Sequence, residues 1–153
     1  MELLRYLNSR YGRVSYERIL SGPGLVNLYS FFSARDRGTD AGALLGAAEP
    51  PAAITAAALQ NSDPAAAAAL RLFVKVYGAY AGNVALAYLA DGGVFIAGGI
   101  APKILPALRD GVFIRAFADK GRMSALLGHI PVYVVTNEKA GLRGAALVAS
   151  RLR

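Results

Sequence analysis

Gly92-Gly93-Val94-Phe95-Ile96-Ala97-Gly98-Gly99-Ile100-Ala101-Pro102 reads as a short buried strand, Val94 to Ala97, set between two glycine pairs and followed by a helix. Valine, phenylalanine and isoleucine suit a pleated, buried position, and the flanking glycines punctuate the run. Gly98-Gly99 removes two Cβ atoms between strand and helix, so a flat or bulky group can approach the backbone closely. The first free N–H groups of the following helix point toward the same place, which favours an anion. On spacing alone the plainer reading, a strand, a turn and a helix with no ligand, is the favoured one. Both readings stand at this point.

Downstream, Pro131-Val132-Tyr133-Val134-Val135 predicts a second strand. Each strand is apolar enough to expect cover on both faces. Between them a helix runs from about Pro102 to Asp110, with Pro106 in or just past its first turn. Ala116 to Leu127 is mostly helical, broken or bent at Gly121. His129, the only histidine, falls at the entrance to the second strand, and with no cysteine in the chain it makes no metal site. From Ala140 onward the pattern is a terminal helix with small residues at Gly144, Ala145 and Ala146.

Upstream, Asp63 is placed to cap a long helix whose first turn holds Pro64 and which runs to about Ala90, roughly 40 Å. Gly78 and Gly82 fall four apart on one face and let another backbone come close. Asn83, in the same helix, reads as a hydrogen-bonding residue of the core. Ala52 to Gln60 is an alanine-rich helix, and residues 33–51 dissolve into glycine, alanine and charge, a flexible loop. At the start, Leu3, Leu4, Leu7 and Tyr11 share one helical face over residues 2–11, ended by Gly12. Ser15 then reads as the N-cap of a short helix through Ser21, with Gly22 in the stop position and Pro23 restarting the chain. Leu25, Leu28, Tyr29 and Phe32 line one face of the helix that follows.

With 153 residues, 55% of them hydrophobic, the chain has enough apolar mass for one domain with a core. Its apolar runs are interrupted before about 18 residues, too early for a membrane span, and Glu2, Arg5 and Arg10 rule out a signal peptide at the start. The absence of cysteine removes disulfides and thiolate metal sites and makes the cytoplasm the default. Seventeen Lys and Arg against ten Asp and Glu give a net charge of +7. Such a balance invites nucleic acid, anionic lipid or a polyphosphate ligand. The basic residues are scattered rather than interleaved with exposed aromatics, so a solvated basic surface is the better reading.

Glu17 is the candidate binding residue. Behind a Ser15 cap it stands second in its helix, where the positive end of the backbone favours an ionised carboxylate. A carboxylate only accepts hydrogen bonds and can grip two hydroxyl groups of a ligand. Acids in first turns also complement the dipole with no ligand present, so the residue pattern alone leaves both roles open. Lys103, just past the glycine turn, is within reach of a phosphate at that turn, but a solvated side chain is the commoner role of such a lysine.

Three blocks carry a resemblance: Val14-Ser15-Tyr16-Glu17-Arg18-Ile19-Leu20-Ser21-Gly22-Pro23-Gly24-Leu25-Val26-Asn27-Leu28-Tyr29; Gly82-Asn83 through Leu86 with Gly92 to Pro102; and Phe117-Ala118-Asp119-Lys120-Gly121-Arg122-Met123 with Ile130-Pro131-Val132-Tyr133. In these the chain resembles the C-terminal part of bacterial ATP-dependent glucokinases, of the actin-like sugar-kinase superfamily, over nearly everything except about residues 33–69. The resemblance implies a helix-rich α/β fold, part of the larger lobe of an actin-like (ribonuclease H-like) sugar kinase, for which the chain's own pattern gives about two strands and five to seven helices. It implies a single incomplete domain over residues 1–153, with a terminal helix, residues 140–153, that packs on a smaller lobe outside the chain.

Under the resemblance, Glu17 matches the glucose-contacting glutamate, and Gly98 and Gly99 match the turn that passes beside adenosine. The implied reaction is ATP-dependent phosphorylation of glucose at its 6-hydroxyl, with Mg²⁺ on the phosphates. The family's catalytic aspartate sits in an Asn-Asp pair, which this sequence lacks, along with its Asp-Gly-Gly-Thr and Gly-Thr-Gly phosphate loops and its Glu-Gly-Gly-His sugar segment. Asp36-Arg37-Gly38-Thr39 spells part of a phosphate loop but has no buried strand before it. No catalytic residue and no metal ligand is therefore assigned, and the chain alone is expected to be inactive. The alternative is a noncatalytic split or truncated module that binds sugar or another subunit. Glucose and ATP are the expected partners, with neither nucleic acid nor membrane, and an open sheet edge points to a homodimer.

Overall fold

The computed structural model describes residues 2–35, 41–137 and 139–152. Asp36 to Thr39, the partial phosphate-loop spelling, lies outside them. Helix α1 spans Glu2–Tyr11 and is followed by a single 3-10 turn, Tyr16–Arg18. Helix α2 covers Gly22–Ser33, α3 Ala41–Leu45, α4 Pro50–Leu59 and α5 Pro64–Tyr88. Strand β1, Val94–Ile96, leads through a second 3-10 turn, Ala101–Ile104, into α6, Leu105–Arg109, and α7, Val112–Ala118. A third 3-10 turn, Gly121–Met123, precedes α8, Ser124–His129, then β2, Val132–Val134, and α9, Ala140–Arg151. The helix-rich α/β class expected from the pattern is what forms.

Helix α5 is the spine, with α2 and α4 packed on one part of it and α7 on another. Its start follows from the cap: Asp63 Oδ1 accepts from the Ala66 N–H at 2.8 Å, while Oδ2 accepts from the Tyr29 hydroxyl at 3.0 Å. Its end is Leu89, in the left-handed region at φ 46°. Leu28, Tyr29, Ile54, Val74 and Phe117 are fully buried around it. Gly78 and Gly82 do what their spacing predicts. A Cβ on either would run into the backbone carbonyl of Phe113 or Phe117 on α7. No helix among the described residues is long and apolar enough to cross a membrane.

The two strands pair in parallel, Val94 with Val132, Phe95 with Tyr133 and Ile96 with Val134. Cover on both faces, expected from their apolar character, is not what is found. Ile96 is buried, but Phe95 and Tyr133 are 65% and 49% exposed, and their rings stack on each other at 5.0 Å between centroids.

Other expectations are corrected as well. Asn83 is exposed, not a core residue, because the buried positions beside it on α5, Ala81, Gly82 and Ala85, form a face that it does not share. A helix begins at Val112, ahead of the expected Ala116, because Asp110 Oδ1 accepts from the Val112 N–H at 2.8 Å and starts the turn early. Residues 41–45 of the segment read as loop are helical, and Pro50 and Pro51 open α4 instead of closing that loop. Gly22 begins α2, where a stop was expected.

Candidate functional site

Two segments build the site: the turn after β1 and the turn before α2. Buried Ile96 ends the strand. Gly98 then adopts φ +113°, a region closed to most side chains, so the turn needs a glycine there. Ala101 and Ile104, each 1% exposed, anchor the segment that follows. Nothing lies within 4 Å of the position a Cβ would take on Gly98 or Gly99. The close approach foreseen from two missing Cβ atoms is therefore available. The helix foreseen behind it is not, since Ala101–Ile104 is a single 3-10 turn and α6 has five residues. So short a run aligns few peptide dipoles, and the expected anion site at a helix start is withdrawn.

On the other side, Ser21 is the N-cap of α2. Its hydroxyl accepts from the Gly24 N–H at 2.9 Å and donates to the Glu17 carbonyl at 2.7 Å. Gly24 is required sterically, since a Cβ there would collide with the backbone of Ile19. Ser21 and Gly24 thus fold the Glu17 turn tightly against the start of α2. Ser15, expected as the cap of the Glu17 segment, has an extended backbone but makes no capping hydrogen bond, and the segment is one 3-10 turn. Glu17 itself is exposed, and no described residue hydrogen-bonds or ion-pairs with its carboxylate.

Between these segments lies a cavity of about 530 Å³. Gly99, Ile100, Lys103 and Ile104 form one wall, Ser21, Gly22 and Leu25 another, and residues of α4 and α5, including Thr55, Leu59 and Phe73, the floor. The structure therefore brings Gly99 and Lys103 together with the turn that carries Glu17, while Glu17 lies outside the cavity, four residues before Ser21. Gly98 shapes the turn without lining the cavity. Ser21, Leu25 and Phe73 went unrecognised as cavity residues. Serine two positions before Pro23 was a legible capping signal for α2. Nothing local marks Leu25 or Phe73 apart from other core residues. Among the described residues no three His, Cys, Asp or Glu gather into a metal site.

The family model described as Glucokinase matches residues 1–152. The chain belongs to the glucokinase family. A glucokinase of Nostoc sp. (strain PCC 7120) is 45% identical over 99% of the chain and 49% of its own length. That of Hahella chejuensis is 47% identical over 95% of the chain and 44% of its own length. The crystal structure of a glucokinase from an Antarctic psychrotroph superposes with a TM-score of 0.77 at 36% identity, over 94% of this chain and 43% of that one. The chain spans about half the length of the curated glucokinases it matches.

Proposed function

We propose that this chain is the part of a glucokinase that holds the adenosine of ATP and one face of glucose, in an enzyme that transfers the terminal phosphoryl group of ATP to the glucose 6-hydroxyl. The observation that carries the proposal is the cavity of about 530 Å³, walled by the Gly99 turn on one side and on the other by the residues that fold Glu17 into place. Its chemistry fits a nucleoside. Leu25, Ile100 and Phe73 offer apolar surface to a flat base, the bare backbone at Gly99 admits it closely, and Lys103 brings a positive charge for phosphate. Glu17 presents an open carboxylate to sugar hydroxyls. Mg²⁺ belongs with the phosphates, and no carboxylate cluster among the described residues gathers to hold it. Phosphoryl transfer also needs a base for the attacking hydroxyl and donors around the phosphates. With no Asn-Asp pair and no glycine-threonine phosphate loop, this sequence supplies neither, so those groups belong to the part of the relatives that it does not span.

The test is a chimera in which residues 1–152 replace the matching half of the Nostoc glucokinase. Glucose-dependent formation of glucose 6-phosphate is expected. Glu17→Gln should act on glucose and Gly99→Val on ATP. A folded chimera without turnover, or variants that fail to separate the two substrates, would overturn the proposal.

A further inference from the structure

The 3-10 turn that carries Glu17 buries none of its own residues, so little hydrophobic packing holds it. Its two flanking residues are nevertheless both clamped. Ahead of Glu17, the Tyr16 ring packs at a 45° tilt against Tyr80 of α5, 4.5 Å between centroids. Behind it, the Arg18 guanidinium lies 4.0 Å over the Tyr11 ring, and the Arg18 carbonyl accepts from Asn27 Nδ2 at 3.0 Å. Asn27 Oδ1 in turn accepts from the Tyr11 hydroxyl at 2.8 Å. Asn27 is one of only two buried polar side chains among the described residues, 7% exposed, and both ends of its amide are occupied. A buried amide has to be satisfied, and this one is satisfied by the end of α1 and by the turn rather than by its own helix. Only the Glu17 carboxylate between the clamped neighbours is left open.

We propose that Asn27, with Tyr11, is a positioning residue for Glu17: the amide ties the turn to α2 and α1 so that the carboxylate is held ready for sugar. The proposal rests on the reading of Glu17 as the glucose contact. Ordering a free turn costs entropy at the moment of binding, and the clasp meets that cost during folding. Removing it should therefore weaken glucose binding without touching the adenosine cavity.

In the chimera described above, Asn27→Ala should raise the KM for glucose about tenfold, the weight of one hydrogen bond to a buried group. Tyr11→Phe, which removes only the hydroxyl, should give a smaller rise in the same direction, with the KM for ATP unchanged in both. Once Glu17 is replaced by Gln, Asn27→Ala should add less than about a twofold further rise, since nothing is left to position. Full additivity, or equal rises for both substrates, would make Asn27 merely structural and overturn the proposal. Hydrogen exchange separates failure of the clasp from failure of the reading beneath it. The Arg18, Ile19 and Leu20 amides bond to the Ser15 and Tyr16 carbonyls at 3.0, 2.9 and 2.7 Å. They should exchange about tenfold faster in either variant. Unchanged exchange overturns the clasp. Faster exchange together with a Glu17→Gln variant of unaltered glucose KM removes the sugar role of Glu17, and the proposal with it. Should Asn27→Ala fail to fold, Tyr11→Phe decides by the same readouts.

Discussion

Replacing Gly78 or Gly82 by alanine opposes two effects of known sign. Both sit inside α5, where alanine is the better helix former by about 1 kcal/mol. Both also face α7 with no room for a methyl group. On Gly78, a Cβ would lie 3.0 Å from the Phe113 carbonyl carbon and 3.2 Å from its Cα, with the carbonyl oxygen closer still. On Gly82 it would lie 3.1 Å from the Phe117 carbonyl carbon and 2.8 Å from Lys120 Cε, again with the oxygen closer. Backbone atoms have no rotamer to change, so α7 must retreat as a body. That retreat loosens the buried Phe113 and Phe117 rings and lengthens the bond from Lys120 Nζ to the Ala79 carbonyl, now 2.9 Å. Overpacking of this kind costs about 1–3 kcal/mol or more. Clashes this close with backbone sit at the upper end of that range, about 2–3 kcal/mol, so after the helix gain each substitution should destabilise by about 1–2 kcal/mol. Because one movement of α7 relieves both clashes, the double variant should cost less than the sum. Urea unfolding of the 153-residue chain followed at 222 nm reads this directly. At an m-value of about 2 kcal/mol/M, each midpoint should fall by roughly 0.5–1 M. Gly144→Ala is the control, since nothing lies within 4 Å of its Cβ position on α9, and it should be neutral or stabilising. If Gly78→Ala and Gly82→Ala match or exceed the parent in stability, helix propensity has won and the close approach is not the constraint described.

Glu17→Gln in the chimera should raise the KM for glucose about tenfold to a hundredfold, the loss of a charge-assisted bond, while the KM for ATP moves little; equal rises would make the residue structural. Gly99→Val, at a position with open space for a side chain, should fold normally and raise the KM for ATP alone, and an unchanged value in a folded variant would remove the adenosine assignment. The 153-residue chain by itself should give no glucose-dependent turnover in a coupled assay, a prediction that fails if a rate appears that Glu17→Ala abolishes. It should also self-associate, because Phe95, Tyr133, Leu142, Leu147, Val148 and Leu152 expose apolar surface; light scattering at micromolar concentration that stays at a mass of 16.0 kDa would refute this.

Features that depend on near neighbours were legible in the sequence. Asp63 with Pro64 marked the start of α5, Val94 to Ile96 and Val132 to Val134 fell inside the expected strands, and Gly78 with Gly82 foretold a close helix contact. Features that depend on the partner were not. Periodicity makes Phe95 and Tyr133 look like core, because apolar character records suitability for burial and not whether anything arrives to cover it. Asn83 shows the converse: it stands among apolar residues in sequence but on the open face of α5 in space. The Glu17 segment reads as a helix capped by Ser15, yet it is one 3-10 turn with no side-chain capping bond, and the serine that does cap is Ser21, at the start of α2. The cavity had no sequence signal of its own, since its walls come from four separate stretches whose meeting is a tertiary fact.

Helix α5 supplies the cavity floor and the contact behind the Glu17 turn from one continuous element. Leu70 and Phe73 line the cavity, and Tyr80, two turns further on, holds the residue ahead of Glu17. Between them stands Gly78, whose contact with Phe113 sets how closely α7 supports the helix from behind. The cavity floor and the Glu17 turn therefore rest on one rod, and the rod is fixed by a backbone contact on its far side. A side chain that touches one ligand perturbs one substrate, as expected for Glu17 and Gly99. A change that shifts the rod moves Phe73 and Tyr80 together. Gly78→Ala, far from either ligand, should then weaken glucose and ATP together in the chimera, in proportion to the displacement of α5. Loss of stability with both KM values intact would show instead that α7 yields while α5 stays in place, and that the site tolerates movement behind it.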